Sequence, residues 1–375
     1  MNIAVTSLRS NGSSAVIDLL ASFEGCSVAV KLDYEHYLYT MPGAFVDLED
    51  KLLLANDPHR SDEAIYAFLD TMKRLYKYNF GWFGSYKRYL GEGFWAAVEE
   101  FVNEIASASG GGMWYGRYRR TRFSPITFIL QLGAYYLKGA HGVRWGTRDV
   151  LDLRKPVYSS YVRKEDFCAA AKRFSEKFFA LCRREGCEHM IYDHLLWPHN
   201  SERAEDFFGD DFRMVVLKRD ARDVFIDQKY IANKVALNPE HVLPEEVNAY
   251  CDYIEAATRG AYPRNDDVVR IVQFEDLVYK TEETVSSLCG FLSLDKSRWN
   301  RERSLFDPAV SISNTQVFTG SPEWEVEAEV IARRLPQLCY DFPFRRDFDG
   351  EAARRFARER LITQKAVNNE RELSS

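Results

Sequence analysis

Short apolar runs, each closed by polar or charged residues, mark both ends of this chain, and helical spacing dominates between them. Asn2-Ile3-Ala4-Val5-Thr6 reads as a buried strand, and Ala15, Val16, Ile17, Leu19 and Leu20 follow at helical spacing. A second strand is expected near Ser27 to Leu32. From there to about residue 185 the pattern is helical, with one helix starting at Ser61 or Asp62 and carrying Ile65, Phe68, Leu69, Met72 and Leu75 on one face. Ser107 to Gly112 breaks this region and reads as a mobile loop. Strands resume at His189-Met190-Ile191-Tyr192, Met214-Val215-Val216-Leu217 and Val269-Arg270-Ile271-Val272, with helical spacing between them. The pattern predicts an α/β fold: a central parallel sheet flanked by helices, interrupted by a large helical insertion. The expected division is a core from residues 1–33 and 187–345, an insertion at 34–186, and a charged tail at 346–375.

Chemistry-bearing residues gather where the predicted strands end, the edge at which open α/β sheets bind ligands. After the first strand, Arg9-Ser10-Asn11-Gly12-Ser13-Ser14 has the makings of a phosphate cradle. Gly12 lets the backbone approach an anion, and the serine hydroxyls and helix N-terminus favour negative charge. The plain alternative is a Ser/Asn cap on the first helix. A Walker A pattern is absent. After Tyr192 come Asp193 and His194, and histidine suits proton abstraction near neutral pH. After Leu217 comes Lys218-Arg219-Asp220-Ala221-Arg222-Asp223, where an arginine beside a helix N-terminus is placed to hold a phosphate. An ordinary strand end paired with neighbouring carboxylates would read the same way.

Taken in order, these segments resemble the sulfotransferases that use 3′-phosphoadenosine-5′-phosphosulfate (PAPS), in the manner of bacterial capsule or lipopolysaccharide sulfotransferase-like proteins. The resemblance extends to Phe274-Glu275-Asp276-Leu277, similar to the family's Y-E-D-L, and to Phe306-Asp307-Pro308 through Ser311, Ser313 and Asn314. It implies a P-loop-like core, PAPS as donor with adenosine 3′,5′-bisphosphate as product, and no metal. It further implies His194 as catalytic base, Arg9 with the amides around Gly12 against the phosphosulfate, and Arg219 on the 3′-phosphate. Asp193 is the reserve base, and Glu35 and His36 are further candidates. The sequence departs from the family pattern at four places. Ser10 stands where the loop's basic residue belongs, Ala221 replaces a proline, and Asp227 stands where a serine would face the 3′-phosphate, to be offset by Lys229 or Lys218. Arg301 and Arg303 lie only roughly where the family's nucleotide loop falls.

The insertion combines aromatic residues (Phe80, Trp82, Phe83, Tyr86, Tyr89, Phe94, Trp95) with a later cluster of Trp114, Tyr115, Arg117, Arg119 and Arg120. Stacking faces and guanidinium groups suit a carbohydrate or glycolipid acceptor in polysaccharide biosynthesis. Packing of the insertion's own core is the plainer alternative for any one of these aromatics. A net charge of −6 argues against a nucleic-acid binder. No apolar run is long enough to span a membrane, and Met1 to Thr6 is too short for a signal peptide. Seven scattered cysteines read as reduced thiols. The expected setting is cytoplasmic, and a homo-oligomer is compatible with it. Two other functions remain open on this fold: an inactive nucleotide- or glycan-binding relative, and a P-loop-like phosphotransferase.

Overall fold

The computed structural model describes residues 1–8, 11–111, 156–231, 243–262, 264–303 and 305–346. Two compact units emerge, one from residues 1–37 together with 182 onward, the other from residues 38–181. The first unit is built on a five-stranded sheet in the order β2-β5-β1-β6-β7. Its strands are β1 (Asn2–Ser7), β2 (Cys26–Val28), β5 (His189–Asp193), β6 (Phe212–Lys218) and β7 (Val269–Gln273), all parallel. The expected α/β architecture is therefore present. β2 is shorter than the sequence pattern suggested, because Val30 and Asp33 take left-handed backbone conformations and turn the chain out of the sheet.

β1 lies at the centre, with Val5 opposite both Asp193 of β5 and Val215 of β6. From Ile3 to Ser7 every side chain is buried, as expected for a parallel strand covered on both faces. One face is covered by α1 (Ser13–Ala21) and by a later helix at Thr281–Leu292, through Val16, Leu20, Val285 and Leu288. The chain leaves β1 toward the β2 side and leaves β6 toward the β7 side. The crevice between the carboxyl ends of β1 and β6 is thus the topological switch point, the ordinary ligand position in such sheets.

The second unit packs its helices around aromatic side chains. These helices are α2 (Phe45–Leu53), α3 (Pro58–Lys77), α4 (Tyr86–Leu90), α5 (Glu92–Ile105) and α6 (Lys164–Cys182). Phe45 sits 4.7 Å from Phe101 and 4.8 Å from Phe174, ring centre to ring centre. α3 starts earlier than expected. Asp57 accepts from the His59 and Arg60 amides, and Pro58 occupies the first helical position. Ser61 and Asp62 instead bond Ser160 and Tyr158, on and beside β4 (Pro156–Ser159). The stretch expected to be a loop contains β3 (Ala108–Gly111), antiparallel to β4. Its serine and glycine composition hides a strand whose stability comes from its partner. Among the described residues, no helix is long and apolar enough to cross a membrane.

Two buried polar groups pin the chain around the rim. Asp223, on α8 (Ala221–Ile226, with α7 at Ala204–Phe207 before it), accepts from the Gln316 amide at 2.8 Å and the Val317 amide at 2.6 Å. Burial, then repulsion from Asp220, holds its carboxyl well above the usual carboxylate range. His36 is fully buried between Tyr34 and Tyr192, and its own amide donates to the Asp193 carbonyl at 2.8 Å. Burial lowers its pKa to about 3.

Removing Asp223 as Asp223→Ala leaves two amides without acceptors and should cost about 2–4 kcal/mol, read as a lower urea midpoint at unchanged m-value. His36 is neutral when folded and titrates near 6.5 when unfolded. Its contribution is therefore complete above pH 6.5 and is lost as pH falls toward 3, with a limiting slope of about 1.4 kcal/mol per pH unit. A melting-temperature series from pH 7 to 4 should be visibly flatter in His36→Phe; equal slopes would refute this assignment.

Candidate functional site

Three adjacent strands, β5, β1 and β6, deliver side chains to one rim. The turn after β1 ends in Gly12, which caps α1 at φ 86°. A Cβ there would lie 2.8 Å from the Phe274 ring, so glycine is required by both conformation and space. No acidic residue occupies the first turn of α1, Ser13 is buried and Ser14 exposed. The helix N-terminus thus presents its dipole and amides without a competing carboxylate of its own first turn. Asn11 is buried and hydrogen-bonds the Tyr262 hydroxyl. Arg9 and Ser10 lie outside the described residues, as do Trp114, Tyr115, Arg117, Arg119 and Arg120.

At the end of β6, the Arg219 guanidinium lies 5.7 Å from the centre of the Phe274 ring. Gly12 and Arg219 therefore meet the same aromatic residue, at the first position of α10 (Phe274–Tyr279, with α9 at Val247–Thr258 before it). The first turn and the distant arginine thus lie against one ring. Arg219 also donates to the Asn314 carbonyl at 2.7 Å and pairs with Asp227 at 3.7 Å. Asp227 is thus the counter-ion of Arg219. Lys229 is bound elsewhere, paired with Glu327 and lying over the Phe225 and Tyr230 rings. Residues 227–231 form a π-helical turn, a local widening seen often at functional sites.

The neighbouring basic and acidic residues are structural. Asp220 is fully buried and accepts from the Arg222 guanidinium and the Tyr340 amide. Glu275 accepts from the Asp220 amide at 2.9 Å, and burial raises its carboxyl above the usual range. Arg222 is held between the Phe318 and Phe342 rings.

On the other side of β1, Asp193 and His194 form a buried pair, with Nδ1 of the ring 2.6 Å from Oδ1 of the carboxylate. His194 takes φ 54°, uncommon for histidine, and its amide donates to the Val5 carbonyl at 3.0 Å. A carboxylate at this distance receives the Nδ1 proton, which leaves the basic lone pair on Nε2. Trp197 packs edge-on to the ring at 5.1 Å. Glu35, bridged to Asp193 along the sheet, accepts from the Tyr37 hydroxyl. Glu35, Asp193 and His194 bring ligand atoms within 4.8 Å of one another, a set of donors able to hold a cation that their linear spacing does not reveal.

Arg301 is not brought to this rim. It lies 4.4 Å over the Trp299 ring and pairs with Glu282. Trp299 bridges Phe23, and the Asn300 amide donates to Ser22, at the far end of α1. That end is roughly 14 Å from Gly12 by helix rise. Arg303 belongs to the same short 3-10 turn. In the other unit, Tyr86 and Phe94 are fully buried, as the packing alternative required.

A cavity of about 260 Å³ opens at the switch point. Asn11 lines it from the β1 turn, Lys218 and Arg219 from the end of β6, Gln273 from β7, and Trp197 from the segment after β5. Lys218, expected at most to offset Asp227, lies over the Tyr262 ring instead, and Trp197, to which no role was assigned, reaches the cavity from the segment after β5.

No family model and no curated protein matches this chain. Among solved structures, it is similar to the sulfotransferase domain of the Synechococcus PCC 7002 olefin synthase, at 14% identity and a TM-score of 0.35 over 92% of this chain and 96% of that one. It is also similar to the sulfotransferase domain from the curacin biosynthetic pathway, at 12% identity and a TM-score of 0.38 over 91% of this chain and 98% of that one. At these values no residue role is transferred from either domain.

Proposed function

We propose that this protein is a sulfotransferase that moves a sulfuryl group from PAPS to a hydroxyl group of a carbohydrate-containing acceptor, a polysaccharide or a glycolipid. One observation carries the reading: three neighbouring strands bring an acid-free helix N-terminus with its obligatory Gly12, an arginine, and an Asp–His pair to a single carboxyl edge. The residues suit such a donor. The glycine turn and the α1 amides accept an anion at close range, and Arg219 is anchored to receive a second one. Bound there, the donor supplies a sulfuryl group on a phosphate leaving group; transfer forms one S–O bond to the acceptor, breaks the one to phosphate, and releases a proton. His194 takes that proton on Nε2, and the fixed Nδ1 contact with Asp193 keeps the base in the right tautomer. Arg219 contributes positioning. The resemblance of the sequence to PAPS-dependent enzymes supports the donor, and the arginine-rich segment from Trp114 to Arg120 supports the acceptor class.

Adenosine 3′,5′-bisphosphate at a hundredfold excess over its Kd should stabilise the protein by about 2.7 kcal/mol, seen as a raised melting temperature, whereas ATP with magnesium should not. His194→Ala should lower kcat by about 10²–10⁴ with bisphosphate binding retained. A melting temperature that responds to ATP with magnesium and not to the bisphosphate would replace this reading with phosphoryl transfer.

A further inference from the structure

The switch-point cavity is chemically lopsided. Its walls are largely apolar: Val224 of α8, Tyr250, Ile254 and Ala257 of α9, and Leu338. Its cations, Lys218 and Arg219, both come from the end of β6. Arg219, held by Asp227 and the Asn314 carbonyl, is the cation assigned to the donor in the proposed reaction. Lys218 differs: its ammonium sits 4.9 Å over the Tyr262 ring, and among the described residues no carboxylate pairs with it. Burial depresses its pKa, the mark of a cation whose hydration is curtailed. A half-buried ammonium over an aromatic face, at one end of an apolar chamber, is suited to an anionic group attached to an apolar body. A nucleotide bisphosphate also has an aromatic base, but it carries two anionic groups on a polar sugar, whereas most of the walls here are apolar.

The cavity also adjoins the Asp193–His194 pair. Trp197 lines it and packs edge-on to the His194 ring. His199 lines it as well and is tied to the Ala257 carbonyl of α9 at 2.6 Å, which fixes this wall to the segment that follows the pair.

We propose that this cavity is an acceptor subsite that holds the apolar portion of an amphipathic acceptor, with Lys218 binding an anionic group on that molecule. The inference rests on the proposed sulfuryl transfer. Of the two acceptor forms named for that reaction, it selects the glycolipid-like one.

The test is titration calorimetry on the full chain with 2-naphthyl sulfate, 2-naphthol, inorganic sulfate and adenosine 3′,5′-bisphosphate. Naphthyl sulfate should bind saturably, with inorganic sulfate and naphthol each at least tenfold weaker. Lys218→Met should weaken naphthyl sulfate about tenfold and leave naphthol unchanged. Ile254→Trp, or the milder Ala257→Leu, should abolish binding of both naphthyl compounds while the bisphosphate still binds, and circular dichroism would verify that each variant is folded. Absence of saturable naphthyl sulfate binding overturns the proposal. So does competition between naphthyl sulfate and the bisphosphate with loss of both in Ala257→Leu, which would make the cavity part of the nucleotide site. Naphthyl sulfate binding as expected, with no bisphosphate binding to the unmodified protein, would uphold the cavity inference and overturn the donor assignment instead.

Discussion

The close approach of Gly12 to Phe274 is the constraint on which the rim depends. A missing side chain lets the β1 turn rest against an aromatic ring, and the same ring carries the Arg219 guanidinium. Two segments more than two hundred residues apart are thereby set in register by one contact, and the spacing between a helix N-terminus and a fixed cation follows from it. Any side chain at position 12 would need both a strained backbone and a displaced ring, so the turn, the arginine and α10 would shift together.

Charged residues at the end of β6 divide into two groups by what they touch. Asp220, Arg222, Asp223 and Glu275 satisfy one another and the backbone of Gln316, Val317 and Tyr340, and they act as mortar between α8, α10 and the segment near residue 316. Buried carboxylates in such company are expensive to ionise, and their partners offset this because each carboxylate oxygen of Asp220, Asp223 and Glu275 has a donor. That arrangement holds the strand end rigid while Lys218 and Arg219 stay at the cavity wall.

Much of this was legible in the sequence because buried parallel strands read as unbroken apolar runs. The strands around Ile3–Val5, Met190–Tyr192 and Met214–Leu217, and the gathering of Gly12, Asp193, His194 and Arg219 at their ends, follow from that pattern and from strand polarity. Features set by long-range pairing were hidden. β3 is a Ser/Gly-rich strand that exists through β4, and Glu35 reaches Asp193 only through the sheet. Arg301 was near the expected place in sequence but is tied to the far end of α1 through Trp299. Lys229 or Lys218 was expected to offset Asp227, which pairs with Arg219 instead, and the pairing of Lys229 with Glu327 could not be read from the chain because that glutamate is ninety-eight positions away.

The backbone of His194 stores energy. A left-handed φ of 54° costs an imidazole-bearing residue on the order of 1–2 kcal/mol relative to glycine, and asparagine tolerates it better than most residues do. Variants selected only for heat resistance would therefore drift toward Gly or Asn at this position and shed the ring as they gained rigidity. If His194 is the base of the proposed reaction, durability is traded for chemistry at this one position, and stabilising programmes for this protein should exempt it.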